Sequence, residues 1–416
     1  MLTLFSVYGF GERLKNIRKN DSMTLYGVDF AAYHTAATLI REGRSKELYV
    51  NIGEDFSRVD SCGFDDAARA LGFREKPTRY VYLPLFQLPF RVFAGLQFTT
   101  AAFYWLIVNL FVLGLIVFLQ WYLIKDVFGP VVSGGIVLTM NMLSFPVFYS
   151  LKLGQTTLIV CFLIYLIYFF SLNKRDAAAG ILLGIIVALK YSPVIFLIYF
   201  LYRKRYKLVF SAIITVCGLA LFSVGLYGFE LHRLYLKSLS TISGMGITGW
   251  SNQSLYAFFL RQTGLGDFSS YLMIKVPTQI SMIGLFFAVA VIAGIYFCIR
   301  RNNLSVSKKL YPLEFSAVVL CFLIVPTISW LHYFALLILP VILMLAFLVK
   351  AETNISKAGI LLFIAIGFYM TAYIPDYYTI TNFINDNIWG NLIVSLPFCG
   401  ALLLLIVNCR VIRLLR

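Results

Sequence analysis

Residues 103–124 read FYWLIVNLFVLGLIVFLQWYLI, 22 consecutive positions without a charged side chain. An α-helix rises about 1.5 Å per residue and the hydrocarbon core of a bilayer is about 30 Å thick, so roughly 20 such residues cross it. Lipid is the solvent that suits a run of this length. The same ruler, moved outward, finds further apolar runs at 127–148, 155–172, 208–228, 279–299, 313–329, 333–349, 358–374 and 389–409. Two shorter pieces, 176–189 and 192–202, flank Lys190-Tyr191-Ser192-Pro193. Proline cannot continue a helix without losing a hydrogen bond, so these read as tilted or shortened spans. The expectation is an all-α polytopic membrane protein with about 11 transmembrane helices.

Composition agrees with that reading. The 416 residues are 60% hydrophobic and 13% charged, against roughly 45–50% and about 25% in soluble domains. The net charge of +16 raises the question of nucleic acid, whose phosphates basic patches neutralise. The basic residues form no patch or stripe. They sit in short clusters between apolar runs: Lys174-Arg175, Arg203-Lys204-Arg205 with Lys207, Arg300-Arg301, Lys308-Lys309, and Arg410, Arg413 and Arg416. Cytoplasmic loops collect Lys and Arg, so the clusters mark the cytoplasmic side and exclude a nucleic-acid partner. The loop at 375–388 lacks Lys and Arg and holds Asp376 and Asp386 instead. The C-terminus is then cytoplasmic. The opposite face receives the segment before 103, the 229–278 loop, and the turns at Gln155, Lys190 and His332.

Residues 1–102 read as an N-terminal extracytoplasmic segment and 103–416 as one integrated multi-span domain. Within the external pieces, 29–42 and 251–261 have the look of short helices, and 84–96 is apolar but too short to span, which suits the membrane interface. Met1–Phe10 is a short apolar head with its basic residues after it, the reverse of a secretory signal. Seven scattered cysteines include no Cys-x-x-Cys pair and give no disulfide framework or zinc site.

The polar features worth singling out fall on the external side, and each has an ordinary reading beside a chemical one. Asp29 opens a helix, where Asp is a favoured N-cap, yet a carboxylate there is also a candidate general base. Lys190 ends an apolar helix, where a cation offsets the dipole, or clamps a phosphate. His332, in Ser329-Trp330-Leu331-His332-Tyr333, is an interfacial histidine or a group acting on substrate. Gly154-Gln155 opens a span and Asn252-Gln253-Ser254 an amphipathic helix, as simple helix starts would. There is no Asp-x-Asp, no His-x-x-x-His and no phosphate-binding glycine loop, so metal-independent chemistry is expected.

In order along the chain, these features resemble glycosyltransferase family 87. The resemblance is carried by Asp29-Phe30-Ala31-Ala32-Tyr33 with Gly43 and Leu48-Tyr49, and by Tyr80-Val81-Tyr82-Leu83-Pro84-Leu85-Phe86. It continues in Leu153-Gly154-Gln155, Leu189-Lys190-Tyr191-Ser192-Pro193, Asn252-Gln253-Ser254 and Ser329-Trp330-Leu331-His332-Tyr333. It covers roughly 27–345. It implies a GT-C-like bundle and a mannosyl donor on a polyprenyl monophosphate. Two departures stand out. Family members usually carry a span before the Asp-Phe loop, where here only Met1–Phe10 precedes a basic stretch. The second aromatic of the usual Asp-Phe-x-x-Tyr-Tyr is His34.

With that resemblance, the expected function is inverting sugar transfer at the external face of a cell membrane, such as a bacterial inner membrane, to a glycolipid or glycan hydroxyl. An inverting transfer needs one base and a site for the leaving phosphate, not a second carboxylate. Asp29 is the expected base. Lys190 and His332 are expected at the donor phosphate, and Tyr33, Tyr82, Gln155, Asn252 and Gln253 at the sugar or acceptor. No cofactor is expected. A transporter or lipid-linked-sugar flippase is the alternative, but it would place charges near the bilayer midplane, where the runs are nearly free of acids.

Overall fold

The computed structural model describes residues 27–49, 63–74, 77–266, 273–300, 304–350, 357–373 and 387–414, with Gly11 and Phe268 alone. Met1–Phe10, the basic residues after it, Cys62, Asp376 and Asp386 lie outside the described residues. The described residues are mostly helical. In order the helices are α1 Val28–Arg41, α2 Gly63–Ala70, α3 Phe98–Phe128, α4 Pro130–Leu143, α5 Phe145–Leu153, α6 Thr157–Leu172, α7 Asp176–Leu189, α8 Val194–Tyr202 and α9 Tyr206–Ile242. After β1 (Met245–Ile247) come α10 Leu255–Arg261, β2 (Met273–Lys275), α11 Thr278–Ile299, α12 Leu304–Ile324, α13 Ile338–Lys350, α14 Lys357–Ala372, α15 Ile388–Val394 and α16 Leu396–Leu414. Three 3-10 segments among the described residues, Ser45–Glu47, Pro84–Phe93 and Leu331–Leu337, complete the order.

The expectation of about 11 spanning helices is corrected. Among the described residues five helices are long and apolar enough to cross a membrane: α3, α9, α11, the run Leu331–Lys350 that ends in α13, and α16. A sixth is gained if α4 and α5, bent by 58° at Ser144, count as one span. The runs at 155–172, 176–189, 192–202 and 358–374 fold into helices of 16, 14, 9 and 16 residues. At about 1.5 Å per residue none exceeds roughly 24 Å. These four runs already fall short of the roughly 20 residues a span needs, and left-handed turns at Gly154 (φ 65°) and Lys174 (φ 58°) close the first of them at either end. The run at 313–329 belongs to α12, which carries Lys308, Lys309 and Glu314 and ends at Ile324.

Two compact units emerge from the chain: Gly11–Gly114 with Ser150–Met245, and Leu115–Tyr149 with Gly246–Arg416. In the first, α7 lies against α9 through Gly180 and Gly184. A Cβ at Gly184 would stand 2.6 Å from the Ala212 carbonyl oxygen, the close approach that small residues four apart allow between apolar helices. Helix α1 is buried along Phe30 to Leu39 and packs into an aromatic core. Its Phe30 ring stacks on Trp105 at 5.7 Å and Tyr33 on Phe90 at 4.8 Å. Arg79 holds Asp65 of α2 by a two-pronged ion pair of 2.5 and 3.1 Å, both side chains buried. That pair anchors the strand-like stretch that carries Tyr80 and Tyr82.

Helix α9 breaks at Gly228 (φ 76°, ψ 162°). His232 bridges the break: its Nδ1–H donates to the Gly228 carbonyl at 2.7 Å and its Nε2 accepts from Ser223 Oγ at 2.8 Å. The second unit has the same small-residue device, with Gly400 of α16 against Gly367 of α14. Polar clamps tie its helices as well. Asn141 of α4 donates to Gln120 of α3 at 2.5 Å, and Asn408 of α16 to the Leu313 carbonyl at 2.7 Å.

Candidate active site

Asp29 does not cap α1. The cap is Gly27, left-handed at φ 73°, whose N–H donates to the Lys152 carbonyl at 2.9 Å. Gly154, at φ 65°, touches the same turn. A Cβ there would fall 2.7 Å from Phe30 Cβ and 3.2 Å from Gly27 Cα. Only glycine combines that backbone angle with that approach. Trp105 Nε1 donates to the Gly154 carbonyl at 2.7 Å and fixes the turn from behind.

This backbone contact sets Gln155 opposite Asp29. Gln155 Nε2 donates to Asp29 Oδ2 at 2.6 Å, and Tyr33 Oη donates to Gln155 Oε1 at 3.1 Å. Asp29 and Tyr33 are four apart, so they share one face of α1. Tyr33 and Tyr82 hydroxyls stand 3.1 Å apart. Because the single Tyr33 proton goes to Gln155, Tyr82 is the donor of that last bond. The result is a directed chain from Tyr82 through Tyr33 and Gln155 to the carboxylate. The Tyr82 backbone is held in turn by the Tyr49 hydroxyl. Lys190, extended at the end of α7 (φ −145°, ψ 125°), places its ammonium 6.0 Å from the Tyr82 ring centre.

Burial raises the Asp29 carboxyl above its ordinary 3.8, against hydrogen bonds from Gln155 and Thr78 and the charge of Lys190, which lower it. Burial likewise lowers the Lys190 ammonium, against Tyr82, Asp29 and Cys161. A carboxylate raised toward working pH is a better proton acceptor than one left at 3.8. A partly desolvated ammonium interacts more strongly with an incoming anion. The arrangement can take a proton beside a cation that holds an anion.

Asn252, Gln253 and His332 belong to the other unit, where three loops are tied together. Asn252 Nδ2 donates to the Ile247 carbonyl at 3.0 Å, and its Oδ1 accepts from the Ser329 N–H at 2.9 Å. Gln253 Nε2 donates to the Trp250 and Val394 carbonyls at 2.6 and 2.7 Å, and its Oε1 accepts from the Phe398 N–H at 3.1 Å. Both side chains are wholly buried. Their amides, expected at a sugar, are here engaged by backbone and lock 247–254 to 329–331 and 394–398. His332 follows directly on the second of those loops. It is buried, edge-on to Tyr333 at 4.6 Å and inclined to Tyr149 at 6.5 Å.

The structure therefore joins Asp29, Tyr33, Tyr82, Gln155 and Lys190 in one hydrogen-bonded and electrostatic cluster, with His332, Asn252 and Gln253 in a second. His34 faces away from the carboxylate, its Nε2 donating to the Phe93 carbonyl at 2.9 Å and its ring stacked on Phe30. Sequence reasoning missed Thr78, whose Oγ1 donates to the carbonyl of Val28, the residue before Asp29, at 3.4 Å, and which stands in no recognisable motif. It also passed over Arg261, which reads in sequence as a cation closing a short helix. Among the described residues no three His, Cys, Asp or Glu side chains group closely enough to hold a metal ion.

Helices scaled to a bilayer, with a carboxylate–amide–phenol chain beside a lysine, define a membrane-associated, multi-helix protein. The model of glycosyltransferase family 87 matches residues 80–326, more than half of the chain. The chain belongs to that family. Tyr82, Gln155, Lys190, Asn252 and Gln253 fall inside the matched stretch, while Asp29 and His332 flank it. No curated protein and no solved structure matches the chain.

Proposed function

We propose that this glycosyltransferase moves a sugar, mannose by the family resemblance, from a polyprenyl monophosphate to a glycolipid or glycan hydroxyl, with inversion, on the extracytoplasmic face of the membrane. The observation that carries the reading is the Asp29 carboxylate itself. It caps no helix, it is bound by an amide whose oxygen is held by Tyr33 and, through Tyr33, by Tyr82, and burial raises its carboxyl above the ordinary value.

In this mechanism Asp29 takes the proton of the acceptor hydroxyl as its oxygen attacks the anomeric carbon. The bond from that carbon to the donor phosphate oxygen breaks, and the lipid monophosphate leaves with its electron pair. Lys190 offsets the charge gathering on the phosphate. His332 is assigned to the same charge by its chemistry. Gln155 orients the carboxylate, Tyr33 and Tyr82 fix the amide, and Asn252 and Gln253 hold the loop that carries His332. A lipid monophosphate carries less charge than a nucleotide diphosphate, so these side chains suffice without a metal ion.

The test is transfer by purified protein from labelled polyprenyl-phosphate sugars and, separately, nucleotide sugars to a panel of glycolipids, read by mass spectrometry. Product should form from the lipid donors alone and persist in excess EDTA. Transfer from a nucleotide sugar, or loss on chelation restored by Mg²⁺ or Mn²⁺, would replace this reading with a metal-assisted one.

A further inference from the structure

Among the described residues Arg261 is the largest side chain that is fully buried, and no step above uses it. Its Nη1 donates to the carbonyls of Thr248 at 3.2 Å and Asn252 at 2.9 Å, and its Nη2 to Ser395 Oγ at 2.9 Å. Its own carbonyl accepts from Asn391 Nδ2 at 3.0 Å. Its Nε has no partner, and it makes no ion pair with an acid among the described residues. An uncompensated buried cation is costly, and a methionine of similar length would fill the space more cheaply. The expense points to a task beyond filling space.

Following the bonds outward identifies the task. Arg261 grips the 248–252 turn. That turn pairs with the next loop through Asn252 opposite Trp330 and through the Leu331 N–H, which donates to the Ser251 carbonyl at 2.7 Å. His332 is the following residue. The guanidinium thus ties down the turn with which the loop carrying His332 is paired. We propose that Arg261 is a positioning residue for His332: through the 248–252 turn it holds the imidazole where the donor phosphate is received. The inference rests on the role given to His332 above.

The experiment is a double-mutant cycle on the full-length protein in detergent or nanodiscs, with polyprenyl-phosphate sugar as donor and folding followed by thermal melting. Arg261→Met should lower kcat/KM for the donor by at least about tenfold, and Arg261→Lys, which keeps charge and donors, should recover part of the loss. In a His332→Ala background, Arg261→Met should change kcat/KM by less than about twofold, since the residue it positions is gone. If Arg261→Met does not fold, Arg261→Lys is read in the same cycle, with a smaller loss that again vanishes in the His332→Ala background. A folded Arg261 variant with wild-type kcat/KM, or a loss of the same size with and without His332, overturns the proposal. A wild-type protein inert toward every lipid-monophosphate sugar removes the functional reading first, and the proposal with it. The two failures have different signatures.

Discussion

His34 follows Tyr33 in sequence but points into the aromatic core, with Nδ1 lacking a partner among the described residues. Burial lowers its imidazole from 6.5 to about 4, the Phe93 carbonyl opposing and Arg41 adding to the effect. The sign follows directly. Above pH 6.5 folded and unfolded chains are both neutral there, and nothing is lost. Below it the unfolded chain binds a proton that the folded chain refuses, so stability falls until about pH 4. The displacement from 6.5 to about 4 corresponds to roughly 3 kcal/mol. Melting temperatures from pH 7.5 to 4.5 should therefore drop less in His34→Phe than in wild type. That variant restores the family's aromatic and also gives up the bond to Phe93, so its melting point at pH 7.5 should be somewhat lower. Parallel curves for the two proteins would show that His34 is protonated in the fold.

Among the elements, the one that makes the site is the turn between α5 and α6. Gly154→Ala would put a methyl against Phe30 and Gly27 in a left-handed backbone, and should cost about 2–4 kcal/mol, above the roughly 1 kcal/mol of left-handed strain alone. Gly264→Ala, also left-handed but with open space around it, provides the comparison and should cost only the strain. Equal losses by thermal melting would mean that the close approach at Gly154 is unimportant. The sequence marked Gly154-Gln155 as a helix start near a polar residue, and that much was legible. What it could not show was the partner. Gln155 and Asp29 stand 126 positions apart in the chain, and nothing local to either residue encodes their meeting. The N-cap reading of Asp29 was natural but missed that Gly27, two residues earlier, takes the left-handed cap. Span counting failed for a related reason. Composition fixes which stretches are apolar, while length depends on turns such as Lys174, a lysine at positive φ that composition does not announce.

For the whole molecule, the proposed sidedness makes α9 the helix to probe. Lys204, exposed in the turn before it, and Lys237, exposed beyond the break at Gly228, bracket one apolar stretch. In a background without the native cysteines, Lys237→Cys should react with an impermeant thiol reagent on intact cells. Lys204→Cys should react only after permeabilisation. The reverse pattern would place the Asp29 face in the cytoplasm. The central claim of the proposed function is that Asp29 is the base of sugar transfer. A carboxyl raised by burial contributes stability below 3.8 and loses it as pH rises through the raised value, so at pH 7 its ionised form is a small liability. Asparagine keeps an oxygen for Gln155 Nε2 and carries no charge. The most direct measurement is therefore kcat and melting temperature of Asp29→Asn together, at pH 7, with the lipid-phosphate donor. A melting point equal to or above wild type with turnover down at least about a hundredfold is the predicted result, and a well-folded Asp29→Asn protein turning over within about threefold of wild type would contradict it.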